Sequence, residues 1–408
     1  MTGVDPGLRS VAVVGAGLAG LSAARALREQ GFGGRLTVIG DEVHRPYDRP
    51  PLSKEFLAGT CAEADLALET DRDDLAADWL LGVRATGLDR GRRTVLLDDG
   101  GTVAADGVVI ATGATARSLG GQADLAGVHT LRTLDDARAL RAELSTAHRL
   151  VVVGAGFIGA EVAATARAAG LEVTVVEAAP TPLAGPLGTA MGEVVSRLHA
   201  DHGVRLICGR PVEGLTGGDR VDGVLLGGGT RLPADVVVVG VGARPAVRWL
   251  AGGDLPVGDG VRCDAAGRTG VPGVVAAGDC AEWYEPRLGR HLRVEHWTAA
   301  AERPRIAVRA LLTGTAPATP ARLPYFWSDQ YGLRIQFAGH TRDGDEVRVE
   351  EGAPEQGGFL AVYRRAGRPV AVLGVDRVGP FARWRRQLER AGTEQSQASV
   401  DHTVGSAP

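Results

Sequence analysis

SVAVVGAGLAGLSAARAL (residues 10–27) and LVVVGAGFIGAEVAATAR (150–167) are two versions of one pattern. Each reads as a buried apolar strand, a G-x-G-x-x-G turn and an alanine-rich helix. The glycines fall at Gly15, Gly17 and Gly20, then at Gly154, Gly156 and Gly159. In such a turn the first glycine permits the tight bend and the second lets backbone approach a pyrophosphate. The third packs helix against strand, and the helix N-terminus faces the phosphate charge. One copy is a weak signal, because Gly-rich turns between strand and helix are common on structural grounds alone. Two copies in one chain imply two dinucleotides held against each other, the arrangement of an enzyme that passes electrons from a nicotinamide to a flavin.

Composition agrees. The chain has 408 residues, room for two to three domains at roughly 150 residues each. Hydrophobic residues make up 44%, aromatics only 4%, and there are 59 glycines, which fits an α/β protein with many tight strand–helix turns. A formal net charge of −4 gives no case for nucleic acid or a membrane surface as partner. The N-terminus has no basic region followed by an apolar core, so no signal peptide is expected. No apolar run approaches the ~20 residues needed to span a bilayer, and the expected location is cytoplasmic. Cys61, Cys208, Cys263 and Cys280 are scattered without a C-x-x-C, so no local dithiol stands ready to take electrons from a flavin. The spacing suggests no metal site. Lys54 is the only lysine among 45 basic residues.

Along the chain, strand 10–14, helix 18–30 and strand 35–40 open a first unit. A proline-rich loop, DRPPLSK (48–54), follows, then a possible hairpin over 94–106 and the buried strand VVIATGA (108–114). A linker around 115–131 and helix 135–144 lead to the second fingerprint and to strand 171–177. A hairpin-then-apolar-strand pattern over 230–245 mirrors 94–114, so the duplication extends beyond the glycine turns. Residues 246–320 return to the first unit, with strand GVVAAGDCA (273–281) and a mostly helical 294–312 that Pro304 should kink. After a linker at 313–322 come strand-like runs at 333–339, 359–365 and 369–375, then a basic helix at 381–392. The polar tail 393–408 is expected to be disordered.

Three acids stand where nucleotides would need them. Asp41, next to Glu42, ends the second strand of the first unit and can hydrogen-bond an adenosine ribose. Gly40 holds the place where the acid often stands. Glu177 ends the matching strand of the second unit. Its carboxylate would accept both ribose hydroxyls of NAD(H) and repel the 2′-phosphate of NADP(H), and 178–188 contains no arginine to neutralise such a phosphate. Asp279, after the strand-end Gly278, can accept hydrogen bonds from a flavin's ribityl chain, although Gly-Asp alone is a common turn. Ala16 and Ala19 in the first turn, and Thr112 and Gly242 at the ends of the two closing strands, complete the cofactor-binding set suggested by position.

PYDRPPLSKEFLAG (46–59), GAGFIGAEVAA (154–164), VVAAGDCAEW (274–283), VEHWTAAAE (294–302) and PYFWSDQYGLRIQFAGH (324–340) together resemble the FAD-dependent NADH:ferredoxin reductases. These serve bacterial cytochrome P450s and Rieske-type dioxygenases and sit within the pyridine nucleotide-disulfide oxidoreductase superfamily. The resemblance spans about residues 9–390, and RPPLSK combined with FWSDQY is far more specific than either glycine fingerprint. It implies an α/β fold with two Rossmann-like, glutathione-reductase-like nucleotide-binding domains and a C-terminal α+β domain. The limits it implies are 1–114 and 246–320 for FAD, 115–245 for NAD, and 321–392 for the C-terminal domain.

By the same resemblance, Lys54 lies beside the flavin N5 edge and pairs with Glu161. Glu161 also meets the nicotinamide carboxamide, with Phe157 and Ile158 flanking the ring. Arg49 matches a flavin-side contact, Val83 and Arg132 match positions near the adenine and phosphates of FAD, and Trp297 and Trp327 match aromatics near the isoalloxazine. FAD and NAD(H) are the implied cofactors and a [2Fe-2S] ferredoxin the implied partner. Such a partner is usually acidic, which makes Arg364, Arg365, Arg368, Arg383, Arg385 and Arg386 candidates for a docking surface. Departures from the pattern are Ala300, Arg303-Pro304, Thr181 and Gly185, the last two removing cations that would otherwise meet the NAD pyrophosphate. An NADH oxidase or peroxidase would share the scaffold but commonly uses a redox cysteine around 40–50, which this chain lacks. An NADH-sensing flavoprotein resembling apoptosis-inducing factor stays open as another class.

Overall fold

Runs of β-branched residues without polar alternation set the two central sheets, because strands buried on both faces need no polar side. The structure, a computed structural model, describes residues 7–119, 125–253, 255–315 and 322–404. The first sheet runs in the order Val274–Ala276, Gly107–Ile110, Ser10–Val14, Arg35–Gly40 and Ala77–Leu81, all parallel. The second runs Val128–His129, Val236–Val239, Arg149–Val153, Glu172–Glu177 and Arg205–Cys208, again all parallel. Each sheet is accompanied by a three-stranded antiparallel ribbon, at Ala85–Asp89, Thr94–Leu97 and Thr102–Ala104 in one and Val212–Gly217, Val221–Leu226 and Thr230–Pro233 in the other. The repeat read in the sequence is therefore a repeat of whole units.

The run 108–114, expected as one strand, stops at Ile110. Gly113 takes a left-handed φ of 68°, and the chain turns out into a separate strand, Ala114–Ala116. That strand pairs antiparallel with Ala243–Pro245, so the exit from the first sheet and the return to it run side by side as a neck. The expected linker 115–131 thus carries structure at both ends, Val128–His129 adding an edge strand to the second sheet. Residues 120–124, and 316–321 of the expected linker 313–322, lie outside the described residues. The helix Trp297–Thr313 continues through Pro304 without a break in helical backbone. The ring crowds the carbonyl one turn back, at Ala300, but both residues are buried and packing holds the helix together.

The C-terminal unit is a five-stranded antiparallel sheet in the order Tyr325–Gln330, Leu333–Gly339, Arg368–Val375, Gly358–Arg365 and Glu346–Ala353. Its closing helix runs from Val378 to Val404, well past the expected 381–392. The tail expected to be disordered is helical as far as Val404. Between Thr393 and Val404 there is no glycine or proline to stop a helix, and Glu, Gln and Ala are good helix formers whatever their polarity. Residues 405–408 lie outside the described residues.

What positions the second unit is a helix, Ala184–Asp201, kinked at Gly188 (φ 73°). Its Leu187, Met191 and Val195 share a core with Ile335, Phe337, Phe359 and Leu373 of the C-terminal sheet. Tyr363 Oη donates to the Leu187 carbonyl at 2.7 Å. Farther along, buried His199 shares a 2.7 Å hydrogen bond with the hydroxyl of Tyr331, in the turn between the first two C-terminal strands.

Burial pushes His199 down from the usual 6.5 to about 4, and His296 and His340 are pushed down in the same way. All three enter the fold neutral, while an unfolded chain takes up these protons as the pH drops below about 6.5. Stability is therefore full above that pH and falls as the pH drops from 6.5 towards 4. His199→Gln keeps a polar partner for Tyr331 but binds no proton. Urea unfolding across this window is expected to give a shallower dependence of unfolding free energy on pH in the variant than in the parent protein.

Candidate functional site

The two glycine turns are built alike, and each leaves one gap. A Cβ on Gly15 (φ 119°) would lie 2.0 Å from the Ala111 carbonyl oxygen, and one on Gly20 would lie 1.8 Å from that of Gly15. In the second turn the matching clashes are Gly154 with Gly240 O at 2.3 Å and Gly159 with Gly154 O at 2.2 Å. The middle glycines differ: a Cβ on Gly156 would meet nothing, and one on Gly17 only an Arg49 nitrogen at 3.9 Å. Gly17 and Gly156 are also the N-caps of their helices, Leu18–Glu29 and Phe157–Ala168, and neither helix has a side-chain cap. Free amide donors at two helix N-termini, with room above the middle glycine, form two cradles that fit a pyrophosphate.

Around the first cradle, Ala16 and Ala19 set close approaches. A side chain at Gly40 would meet the Ala16 methyl at 2.5 Å, which explains why no acid stands there. A Cβ on Gly278 would meet the Ala19 methyl at 2.7 Å, so the Gly278-Asp279 turn packs on the first fingerprint helix. Asp279 accepts from Arg132 Nη2 at 2.7 Å, and Arg132 Nε donates to the Ala114 carbonyl. Glu42 is occupied, accepting from Arg49 Nη2 at 2.6 Å and from Tyr47 Oη at 2.5 Å. Asp41 is the open acid, its side chain 59% exposed with Arg84 4.0 Å away. Val83, whose amide donates to the Gly40 carbonyl, borders the same strand end. Thr112 and Gly242 lie at the neck: Thr112 Oγ1 donates to Ala246 O at 2.8 Å, and Gly242 O accepts from the Arg117 amide. In the second unit Glu177 accepts from the amides of Ala155 and Ala179, both at 2.9 Å, which aims its carboxylate back at the glycine turn.

Between the cradles stands one carboxylate. Lys54 Nζ lies 2.8 Å from Glu161 Oε2, with the two side chains 12% and 4% exposed. Ser53 Oγ donates to the same oxygen, and Ser328 Oγ donates to Glu161 Oε1 at 2.7 Å. Gln330 Nε2 in turn donates to Ser328 Oγ at 3.0 Å. The loop 48–54, the second fingerprint helix and the C-terminal strand Tyr325–Gln330 therefore meet at this group. A buried ion pair holds only when its remaining lone pairs are satisfied, and these hydroxyls satisfy them. Ser53, Ser328 and Gln330 were not singled out from the sequence, although all three lie inside the RPPLSK and FWSDQY motifs.

Aromatic rings line both sides. Phe157 packs on Phe326 with centroids 4.6 Å apart, while Ile158 next to it is 47% exposed. Trp297 donates to Asp48 Oδ1 at 2.7 Å and meets Trp327 edge-on at 6.0 Å. Burial pushes the Asp48 carboxyl up, against the pull of Trp297 and Lys54. His296, N-cap of the helix that starts at Trp297, has a buried Nδ1 with no partner. Burial holds this ring neutral, down to about 4, even though Asp279 pulls the other way. An orphaned buried nitrogen that lies against Phe326 and feels the Asp279 carboxylate fits a bound cofactor that supplies the missing partner. The arginines expected to form a docking surface are largely neutralised: Arg364 pairs with Glu350, Arg365 with Asp345, Arg383 with Glu351 and Arg385 with Glu389.

Residues 9–303 match the pyridine nucleotide-disulphide oxidoreductase family, and residues 325–405 match the reductase C-terminal family. The chain is 40% identical over 392 residues to the ferredoxin reductase component of chlorobenzene dioxygenase from Cupriavidus sp. (strain PS12), covering 95% of this chain and 94% of that one. It is 39% identical over 373 residues to rhodocoxin reductase of Rhodococcus erythropolis, covering 90% and 86%. Among solved structures, the covalent putidaredoxin reductase–putidaredoxin complex superposes with a TM-score of 0.89 at 33% identity, covering 94% of this chain and 93% of that one.

The glycines separate packing from binding. Gly159→Ala forces a methyl onto the Gly154 carbonyl and is expected to cost about 2–3 kcal/mol of stability. Gly156→Ala adds a methyl in open space and is expected to stay within about 0.5 kcal/mol of the parent, yet to weaken NADH binding. Thermal unfolding and NADH titration of the two variants measure both effects.

Proposed function

The chain belongs to the pyridine nucleotide-disulphide oxidoreductase family, and from that premise we propose that it is an NADH-dependent ferredoxin reductase. It takes hydride from NADH onto FAD and passes electrons singly to a [2Fe-2S] ferredoxin that serves a cytochrome P450 or a Rieske-type oxygenase. The observation that carries this reading is the buried Lys54–Glu161 pair between two uncapped glycine turns. All four cysteines are free, and burial pushes every one of their thiols up. A free thiol is already reduced, and a thiol held protonated does not readily attack to form a mixed disulfide. These cysteines therefore offer the flavin no disulfide to reduce, and a separate protein is favoured as the acceptor.

FAD, when bound, supplies the step from a two-electron donor to a one-electron acceptor. The chain's own residues bind and orient. The amides after Gly17 and Gly156 hold the two pyrophosphates. Asp41 and Val83 border the FAD adenosine, Arg132 and Asp279 its middle portion, and Arg49, Trp297 and Trp327 its ring system. Glu177 takes the NADH ribose hydroxyls and repels a 2′-phosphate, while Phe157 and Ile158 flank the nicotinamide. Lys54 and Glu161 fix the contact between nicotinamide and isoalloxazine, and their burial keeps bulk water from it. Positioning of this kind converts an encounter of two reactants into a step within one complex.

Residues 1–114 and 246–320 form the FAD unit in this proposal, supported by the way Val274–Ala276 completes the first sheet. Residues 115–245 form the NAD unit, and the C-terminal unit begins near 321 and includes the long final helix. No helix among the described residues is long and apolar enough to cross a membrane. A cytoplasmic location is supported by the four unpaired cysteines and by NADH as reductant.

Anaerobic stopped-flow absorbance tests the reading. NADH is expected to bleach the flavin band quickly and NADPH slowly, with recovery on mixing with a [2Fe-2S] ferredoxin. Lys54→Met leaves Glu161 buried without its cation and should slow bleaching about 100-fold. Glu177→Ala should narrow the preference for NADH roughly tenfold. Bleaching without ferredoxin-dependent recovery would overturn the assignment of the acceptor.

A further inference from the structure

A β-strand presents alternate residues to opposite sides, and Tyr325–Gln330 uses both. This strand is the edge of the C-terminal sheet. Tyr325 and Trp327 share one side, where Tyr325 stacks on Trp327 at 6.0 Å and Trp327 meets Trp297. Phe326, Ser328 and Gln330 share the other, which faces the second fingerprint helix: Phe326 lies against Phe157, and Ser328 against Glu161. Ser328 is 0% exposed and Gln330 2%. Buried polar groups on a core-facing side weaken packing unless they are fully bonded, so their presence there calls for an account. The bonds run in one direction: Gln330 Nε2 donates to Ser328 Oγ, and Ser328 Oγ donates to Glu161 Oε1. The Gln330 amide nitrogen can only donate and the Glu161 carboxylate only accepts, so the Ser328 hydroxyl has its proton committed to Glu161.

We propose that Gln330 and Ser328 are positioning residues for hydride transfer, setting the rotation of the Glu161 carboxylate that meets the nicotinamide. The proposal rests on the reading of Glu161 given above. Lys54 and Ser53 hold Oε2 from the loop side, and Ser328 holds Oε1 from the C-terminal side. Two oxygens gripped from opposite sides fix the plane of the group. With only Oε2 gripped, the carboxylate turns about its last single bond, and its alignment with bound NADH is lost. A hydroxyl and the amide behind it, both on a third unit, thus complete a site otherwise made by the two nucleotide-binding units.

The test separates the two half-reactions of the FAD-loaded protein. In Ser328→Ala, flavin bleaching at saturating NADH is expected to slow roughly tenfold, with Ser328→Thr, which keeps the hydroxyl, restoring most of the rate. Reoxidation of chemically reduced protein by ferredoxin should be unchanged in both. Gln330→Met fills the same space without donating to Ser328 and should slow bleaching by a smaller factor in the same half-reaction. This second variant decides the matter if Ser328→Ala loses flavin or fails to fold. Bleaching at the parent rate in Ser328→Ala and Gln330→Met, equal loss in both half-reactions, or no rescue by threonine would each overturn the proposal while leaving the assigned function standing. A parent protein whose flavin NADH does not bleach would overturn the function, and this proposal with it.

Discussion

The Glu161 carboxylate is the point on which the three units depend. It is almost wholly buried, and an ionised carboxylate there without partners would cost several kcal/mol. Lys54, Ser53 and Ser328 remove that penalty, but they come from two segments far from Glu161 in the chain, one on either side of it. Neither the loop 48–54 nor the strand Tyr325–Gln330 is near the second fingerprint helix in sequence. The ion pair is therefore less a source of stability than a condition on geometry, met only when all three units are docked. Thr165 adds to the same seam, donating to the Ser53 carbonyl at 2.9 Å.

That geometry is held by apolar packing around it. The kinked helix Ala184–Asp201 belongs to the second unit by chain order but shares its core with the C-terminal sheet. The paired strands of the neck tie the second unit to the first. The helix Trp297–Thr313 of the first unit meets the C-terminal strand Tyr325–Gln330, where Thr298 Oγ1 donates to the Tyr325 carbonyl at 2.8 Å. Each nucleotide cradle thus sits on a unit that is tied to the other two by separate contacts. A reaction that passes hydride between two bound dinucleotides needs this, because a displacement of about 1 Å at the reacting atoms is enough to cost catalysis heavily.

Much of the fold was legible because its signals are local. Two apolar strands, each followed by three spaced glycines, announce the cradles, and the solitary Lys54 inside RPPLSK marks the loop beside them. Glu177 was legible for the same reason, as an acid at a strand end. Ser328 and Gln330 were not, since a serine and a glutamine in a strand read as an ordinary polar face until the strand's edge is known to be covered by a helix. The choice between Asp41 and Glu42 needed the loop fold, which turns Arg49 and Tyr47 onto Glu42. The arginines were visible as a count, but of the carboxylates that neutralise them two, Glu350 and Glu351, sit on the strand Glu346–Ala353, and Asp345 just before it. The final helix was misjudged because polarity was taken for disorder where the absence of helix breakers was the better guide.

The neck has a consequence for how the chain is made. A ribosome delivers Gly107–Ile110 long before Val274–Ala276, the strand that covers its outer edge. In the interval the first sheet carries an uncovered edge of valine and isoleucine, the kind of surface on which nascent chains stick to one another. The second unit's sheet is complete by Val239, with both its ends held close together by the paired strands of the neck. The inserted unit can therefore fold first and hold the two halves of the interrupted sheet within reach. Synthesis of this protein is a matter of timing, in which the first sheet begun is closed by a strand that emerges only after the whole inserted unit.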